Sequence, residues 1–240
     1  MKPLAWTSTA ASHRGSIRAV NEDAFLSEPN ARLWCVADGM GGHSKGDVAS
    51  ALIVEKLASI IHNQRSLSVA SITSAIQEAN TEVIELSKQL KEKVGSTVVV
   101  LFIEDDCAHI LWAGDSRVYR YSNGALECLT RDHNQAEELV AHGLLARSKA
   151  NSHPGSRLIT RAVGTNASLQ LEHITVDWHN TDQFILTSDG LNDVMEDPSI
   201  VFELANTASD TISDRLIENA LNRWALDNIS VINVCCTPEN

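Results

Sequence analysis

At 240 residues with 43% hydrophobic content, the chain is long enough to bury the core of one sizeable domain without disulfide or metal staples. Nineteen Lys and Arg against 31 Asp and Glu give a formal charge of -12, which repels nucleic acid and anionic lipid where no basic cluster offsets it. The five cysteines (Cys35, Cys107, Cys128, Cys235 and Cys236) form no CxxC pair, which argues against a zinc site and for a reducing compartment.

The opening residues lack the apolar stretch of a signal peptide, and no run of about 18 apolar residues follows, so a cytoplasmic protein without a membrane span is expected. No linker, repeat or low-complexity tract divides the sequence, and residues 1–240 read as a single domain. Leu33 to Ala37 is an apolar run ending in Asp38-Gly39, the pattern of a buried strand entering a glycine turn. Two amphipathic helices are expected next, over about Asp47 to His62 and Val69 to Leu90. Thr97 to Ile103, Ala108 to Ala113, Arg117 to Tyr121 and Leu126 to Leu129 are rich in β-branched and aromatic residues. Asn123-Gly124 supplies a hairpin turn, and the block reads as one antiparallel meander. A short helix is expected near Gln135 to His142. Strands follow at Leu169 to Val176, Gln183 to Thr187 and Ile229 to Cys235, with helices between the last two. Grouped strands and paired helices argue for antiparallel sheets covered by helices, not for a parallel sheet.

Three of the strand patterns end alike, delivering Asp38, Asp115 and Asp189 beside glycine. Asp227 opens the last strand, and Glu22 and Asp23 lie near the start. Any one of these aspartates is explained by turn chemistry at a strand end. Several converging on one sheet edge repel each other unless a cation joins them. Carboxylate oxygens without a Cys or His set favour Mg²⁺ or Mn²⁺, and two such ions sharing a carboxylate can lower the pKa of a water near neutral pH. A glycine lets backbone approach an ion, so the Gly39 carbonyl is a further candidate ligand. Spacing alone stops at a divalent-metal site with no substrate.

Eight stretches add a resemblance. Arg18-Ala-Val-Asn-Glu-Asp23, Ala-Asp38-Gly-Met-Gly-Gly-His43, Gly95-Ser-Thr97, Ala-Gly-Asp115-Ser-Arg117, Leu-Thr-Arg-Asp132-His133, Ile-Thr-Arg-Ala-Val-Gly164, Thr-Ser-Asp189-Gly-Leu-Asn-Asp193 and Asp227-Asn-Ile-Ser230 occur in this order over nearly the whole chain. Together they resemble the PP2C-type (PPM) metal-dependent protein serine/threonine phosphatases, in their compact bacterial form. The resemblance implies an α+β fold, a central β-sandwich of two antiparallel sheets flanked by helix pairs, with the metal site in a cleft at one end. It implies that Asp38 bridges two Mg²⁺ or Mn²⁺ ions, that the Gly39 carbonyl binds one and that Asp189 and Asp227 complete the other. Glu22 and Asp23 would hold metal-bound waters, Asp115 with Asp189 would bind a weaker third ion, and Arg18 would grip the phosphate, for which a guanidinium is suited.

Met40 stands where many eukaryotic relatives carry a histidine that protonates the leaving group. That leaves His43 or a metal-bound water as the acid. Residues 135–161 resemble the flap bordering the cleft, and Arg147, Lys149, Arg157 and Arg161 are candidate contacts for an anionic phosphoprotein. The implied reaction is in-line hydrolysis of phosphoserine or phosphothreonine in proteins without a phosphoenzyme. The competing readings are a pseudophosphatase used as a binding module and a phosphatase of a small phosphorylated metabolite. By analogy the chain would work as a monomer, opposing a bacterial Ser/Thr kinase in a pathway such as type VI secretion.

Overall fold

A computed structural model describes residues 4–41, 45–63 and 67–238. His43, a candidate acid, lies outside the described residues.

Among the described residues, eleven strands and six α-helices make four layers. One sheet holds β1 (Leu4–His13), β7 (Arg117–Ser122), β8 (Ala125–Cys128), β10 (Gln183–Thr187) and β11 (Ile229–Pro238), in the order β1-β11-β10-β7-β8. The other holds β2 (Asp23–Glu28), β3 (Leu33–Gly41), β5 (Val98–Glu104), β6 (Cys107–Ala113) and β9 (Glu172–Asp177) in that order, with β4 (Val94–Ser96) paired to the end of β3. Every pairing is antiparallel. The helices α1 (Gly46–His62) and α2 (Val69–Leu90) cover the second sheet. The short α4 (Asp189–Asn192), α5 (Asp197–Asn206) and α6 (Ile212–Asn222) cover the first, and α3 (Gln135–Ala141) stands apart from both helix groups. The expected α+β sandwich is the fold.

Both faces of the central strands are buried, which is why they read as unbroken apolar runs. Along β3, Leu33, Cys35 and Ala37 meet the helices while Trp34 and Val36 enter the space between the sheets; along β5, Val98 and Val100 oppose Val99 and Leu101 in the same way. Trp34 and Trp112 anchor the sandwich interior, and each keeps its indole N–H satisfied, on Ser8 Oγ at 2.9 Å and on the Arg131 carbonyl at 2.8 Å.

The expected helices lie where the periodicity put them. The four strands read as one meander do not: β5 and β6 form a hairpin in one sheet, β7 and β8 a hairpin in the other, and the chain crosses between sheets at Gly114–Ser116. Local sequence sets each hairpin but not which layer receives it. The crossing also carries the Asp115 turn.

The close of β3 on α1 depends on two glycines facing each other. A β-carbon on Gly39 would lie 2.1 Å from the Gly46 carbonyl oxygen, and one on Gly46 would lie 2.5 Å from the Gly39 carbonyl carbon. The Gly39→Ala variant is therefore expected to lose about 2–4 kcal/mol of stability, read as a lower midpoint in urea, because backbone must shift on one side.

Candidate active site

Antiparallel pairing alone explains how distant aspartates share one end of the sandwich. β3 and β6 both pair with β5 and so run the same way, bringing Asp38 and the Asp115 turn to one edge. β10 and β11 are antiparallel, so Asp189, just past the end of β10, meets Asp227, just ahead of β11. Asp23 is paired directly with Asp38 across β2 and β3.

These carboxylates feel one another. Asp38 is densely surrounded by protein, and that desolvation, with the charges of Asp23, Asp189 and Asp115, pushes its pKa well above the usual carboxylate range. Asp189 is raised likewise, by desolvation first and then by Asp115, Asp193 and Asp227. The Asp38 and Asp189 carboxyls act on each other directly, which favours a proton or a cation between them. Asp115, 7% exposed, is pushed up to about 7 by burial and by Asp132. Asp23 is pushed up to about 6 by burial, although Ser188 and Ser230 each donate to its Oδ2 at 2.8 Å.

One oxygen on each of Asp23, Asp115 and Asp189 is closed to solvent and has no hydrogen-bond partner. Unsatisfied carboxylate oxygens of this kind cost free energy unless a cation or a proton meets them, so the donor set fits a hard divalent ion. Among the described residues no three acidic, His or Cys side chains are already closed into a metal cage. Mg²⁺ and Mn²⁺ are ordinarily held by few direct carboxylates and keep several waters.

The surroundings fix these groups in place. Asp38 N–H donates to Thr97 Oγ1 at 3.0 Å, its carbonyl accepts from Ser96 Oγ at 2.9 Å, and Thr97 Oγ1 meets Ser116 Oγ at 2.8 Å, tying β3 to the Asp115 turn. Gly114 has φ 121, and a β-carbon there would strike the Thr97 side chain at 2.6 Å, so only glycine lets the turn pack so closely. Gly114 N–H donates to His133 Nδ1 at 3.1 Å while its carbonyl accepts from His133 N–H at 2.9 Å. This assigns the imidazole proton to Nε2, which faces Glu172 at 3.1 Å; burial lowers the pKa of the ring. Arg117 grips both oxygens of Asp132 at 2.9 and 2.8 Å. The Arg117 and Asp132 motifs thus form a brace behind Asp115.

The remaining candidates have structural partners of their own. Glu22 Oε1 accepts the N–H of Gly46 at 3.0 Å, capping the start of α1, and its carbonyl accepts from Gly39 N–H and Ser50 Oγ. Arg18 NH2 donates to Asp227 Oδ2 at 2.6 Å, with about half the arginine side chain exposed, while Asp227 Oδ1 accepts from Asn228 N–H. Sequence reasoning passed over Ser188, Ser230, Asn228 and Thr97 as functional positions. Each lies inside a recognised motif, but nothing in its spacing says that it anchors a carboxylate strand.

The family model for protein phosphatase 2C matches residues 9–225. The chain belongs to the protein phosphatase 2C family. A serine/threonine phosphatase, stp, of Listeria monocytogenes is 31% identical over 92% of this chain and 92% of its own length. The serine/threonine protein phosphatase PstP of Mycobacterium tuberculosis is 33% identical, and the chain spans 43% of that protein's length. Among solved structures, the PstP catalytic domain in complex with two manganese ions superposes with a TM-score of 0.88 at 28% identity, covering 98% of this chain and all of that one. PppA of Pseudomonas aeruginosa, described as a key regulatory component of T6SS, gives 0.86 at 35% identity over 98% and 100% of the two chains.

In this PP2C-type chain residues 135–161 run through α3 and two short 3-10 turns, Arg147–Lys149 and Pro154–Arg157. Three of its four singled-out basic residues face acids of the chain itself. Arg147 is ion-paired with Glu137, Arg157 lies 3.9 Å from Asp193, and Arg161 lies 3.3 Å from Glu172. Lys149 is the exposed one of the four for which no ion pair is formed among the described residues. No helix of the described residues is long and apolar enough to cross a membrane.

Proposed function

We propose that this chain hydrolyses phosphoserine and phosphothreonine in proteins at the acidic end of the sandwich, using Mg²⁺ or Mn²⁺. The observation that carries the reading is the convergence of four aspartates beside an exposed arginine: Asp38, and Asp23, Asp115 and Asp189, each of which has one unpartnered, solvent-closed oxygen. When bound, the ions supply charge neutralisation and a water acidic enough to attack phosphorus.

Asp38, the Gly39 carbonyl, Asp189 and Asp227 would hold two ions, and Asp115 with Asp189 a weaker third. Glu22 and Asp23 would orient coordinated waters, and their bonds to α1, Ser188 and Ser230 keep them rigid enough to do so. Arg18 uses one nitrogen on Asp227, and its other N–H groups remain for the phosphate oxygens. Met40 offers no proton, so the leaving alkoxide takes its proton from water at the site or from His43. The chain is read as a cytoplasmic monomer acting opposite a Ser/Thr kinase, and its likeness to PppA makes type VI secretion the pathway to test first.

The test is phosphate release from a phosphothreonine peptide. Release is expected with Mn²⁺ and none is expected in EDTA; release indifferent to EDTA overturns the reading. A higher kcat/KM on nucleotides or sugar phosphates than on phosphopeptides would favour a metabolite substrate. Arg18→Ala is expected to cost about a hundredfold in kcat/KM on the peptide, the scale of losing one well-placed donor to a charged transition state.

A further inference from the structure

The turn that carries Arg18 lies against the segment that carries Asp227. Ser16 N–H donates to the Ala225 carbonyl at 2.9 Å, and Arg18 donates to Asp227 at 2.6 Å. These two adjoining segments expose three large apolar side chains: Ile17 at 68%, Trp224 at 76% and Leu226 at 55%. Ile17 immediately precedes the arginine, and Leu226 immediately precedes the aspartate.

Trp224 is also strained. Its backbone has φ 60, in the left-handed region, where a bulky side chain carries a strain cost and glycine almost none. Three-quarters exposed, the indole does not recover that cost by burial within the chain. A strained, solvent-facing tryptophan close in the chain to Asp227 points to a contact made with something else. Arg14 and Arg18 sit on the same turn, and Arg14 donates to the Arg18 carbonyl. The patch is therefore apolar with a cationic rim, in a chain of net charge -12. That pairing suits a phosphorylated peptide with an apolar residue close to its phosphate, and it suits neither a lipid surface nor a nucleic acid.

We infer that Ile17, Trp224 and Leu226 form an apolar shelf that receives a hydrophobic side chain flanking the phosphorylated residue of a protein substrate. The inference rests on the proposed phosphatase reaction, with the phosphate directed to Arg18. An extended peptide advances about 3.3 Å per residue, so a side chain within about three positions of the phosphate reaches the shelf.

The test uses the full chain with Mn²⁺ and a set of phosphothreonine peptides that differ only by Leu or Ser at each flanking position. Wild type is expected to favour Leu at one or two positions by about tenfold in kcat/KM, the scale of one aliphatic group entering an apolar site. The double variant Trp224→Gly with Leu226→Ser is expected to lose that preference, with p-nitrophenyl phosphate as the reference substrate against which each peptide is scaled. Glycine fits φ 60, so its melting temperature is not expected to fall. A wild type without preference at any position, or a preference that survives in the double variant, overturns the shelf. Loss of self-association in the variant without change of peptide preference would assign the patch to a second copy and also overturn it. Wild type that turns over p-nitrophenyl phosphate but shows no peptide preference sinks the shelf alone; wild type that turns over neither substrate sinks the phosphatase reading with it.

Discussion

Asp38→Ala and Asp189→Ala are each expected to reduce Mn²⁺-dependent phosphate release by about a thousandfold or more, with correct folding retained. The size follows from the several kcal/mol of transition-state charge neutralisation that the site supplies only when its ions are held. Asp38 is the carboxylate on which the charges of Asp23, Asp115 and Asp189 all act, and Asp189 is raised in the same way. Removing either leaves fewer oxygens to hold a cation. Stability should move the other way. In EDTA, Asp38→Asn is expected to melt above wild type, because one crowded carboxylate is gone. A variant that keeps full activity would refute the metal assignment, and one that melts lower in EDTA would refute the repulsion.

The second large effect is on stability against pH without metal. Burial and neighbouring carboxylates push Asp23 up to about 6 and Asp115 up to about 7, and hold Asp38 and Asp189 well above the usual carboxylate range, so the folded chain binds more protons than the unfolded chain above the ordinary aspartate range. Stability must then fall as pH rises, beginning near pH 4, where the unfolded carboxylates ionise, and continuing through at least pH 7. A loss of a few kcal/mol across that window corresponds to a fall of roughly 5–10 °C in melting temperature for a domain of this size. Mn²⁺ should reverse it, with a larger gain at pH 8 than at pH 5, since the ion takes the place of the protons. Differential scanning calorimetry in EDTA and in Mn²⁺ at the two pH values decides the matter. A metal-free melting temperature that climbs from pH 5 to 8 would contradict the electrostatics described here.

Much of this was legible beforehand. The helices over 46–62 and 69–90 carry strong periodicity because each has one face on a sheet and one in water. The aspartates at strand ends were visible because glycine and serine mark the turns that hold them. β1 and β2 were not predicted. β1 is made largely of Ser, Thr and Ala, and it exists because ten residues pair with β11 and its hydroxyls find partners such as Ser27, Ser213 and Ser230. β2 is an edge strand, partly exposed, and its first residue reads as a candidate site residue before it reads as a strand. The basic flap residues looked free to meet a substrate because the acids they face, Glu137, Asp193 and Glu172, are partners only in three dimensions.

By itself, the order of motifs carried the resemblance that named the family and implied the layered fold, while side-chain type and spacing marked the aspartates at strand ends as candidate ligands. Tertiary structure alone decided that β6 and β7 lie in different sheets, that Asp23 is held from the opposite sheet by Ser188 and Ser230, and that Arg18 meets Asp227 across 209 positions of chain. It also decided that a strained tryptophan stands beside that arginine. The physical reason is the same in each case: a contact between distant segments depends on how strands pair and layers stack, and no short stretch of sequence carries that information.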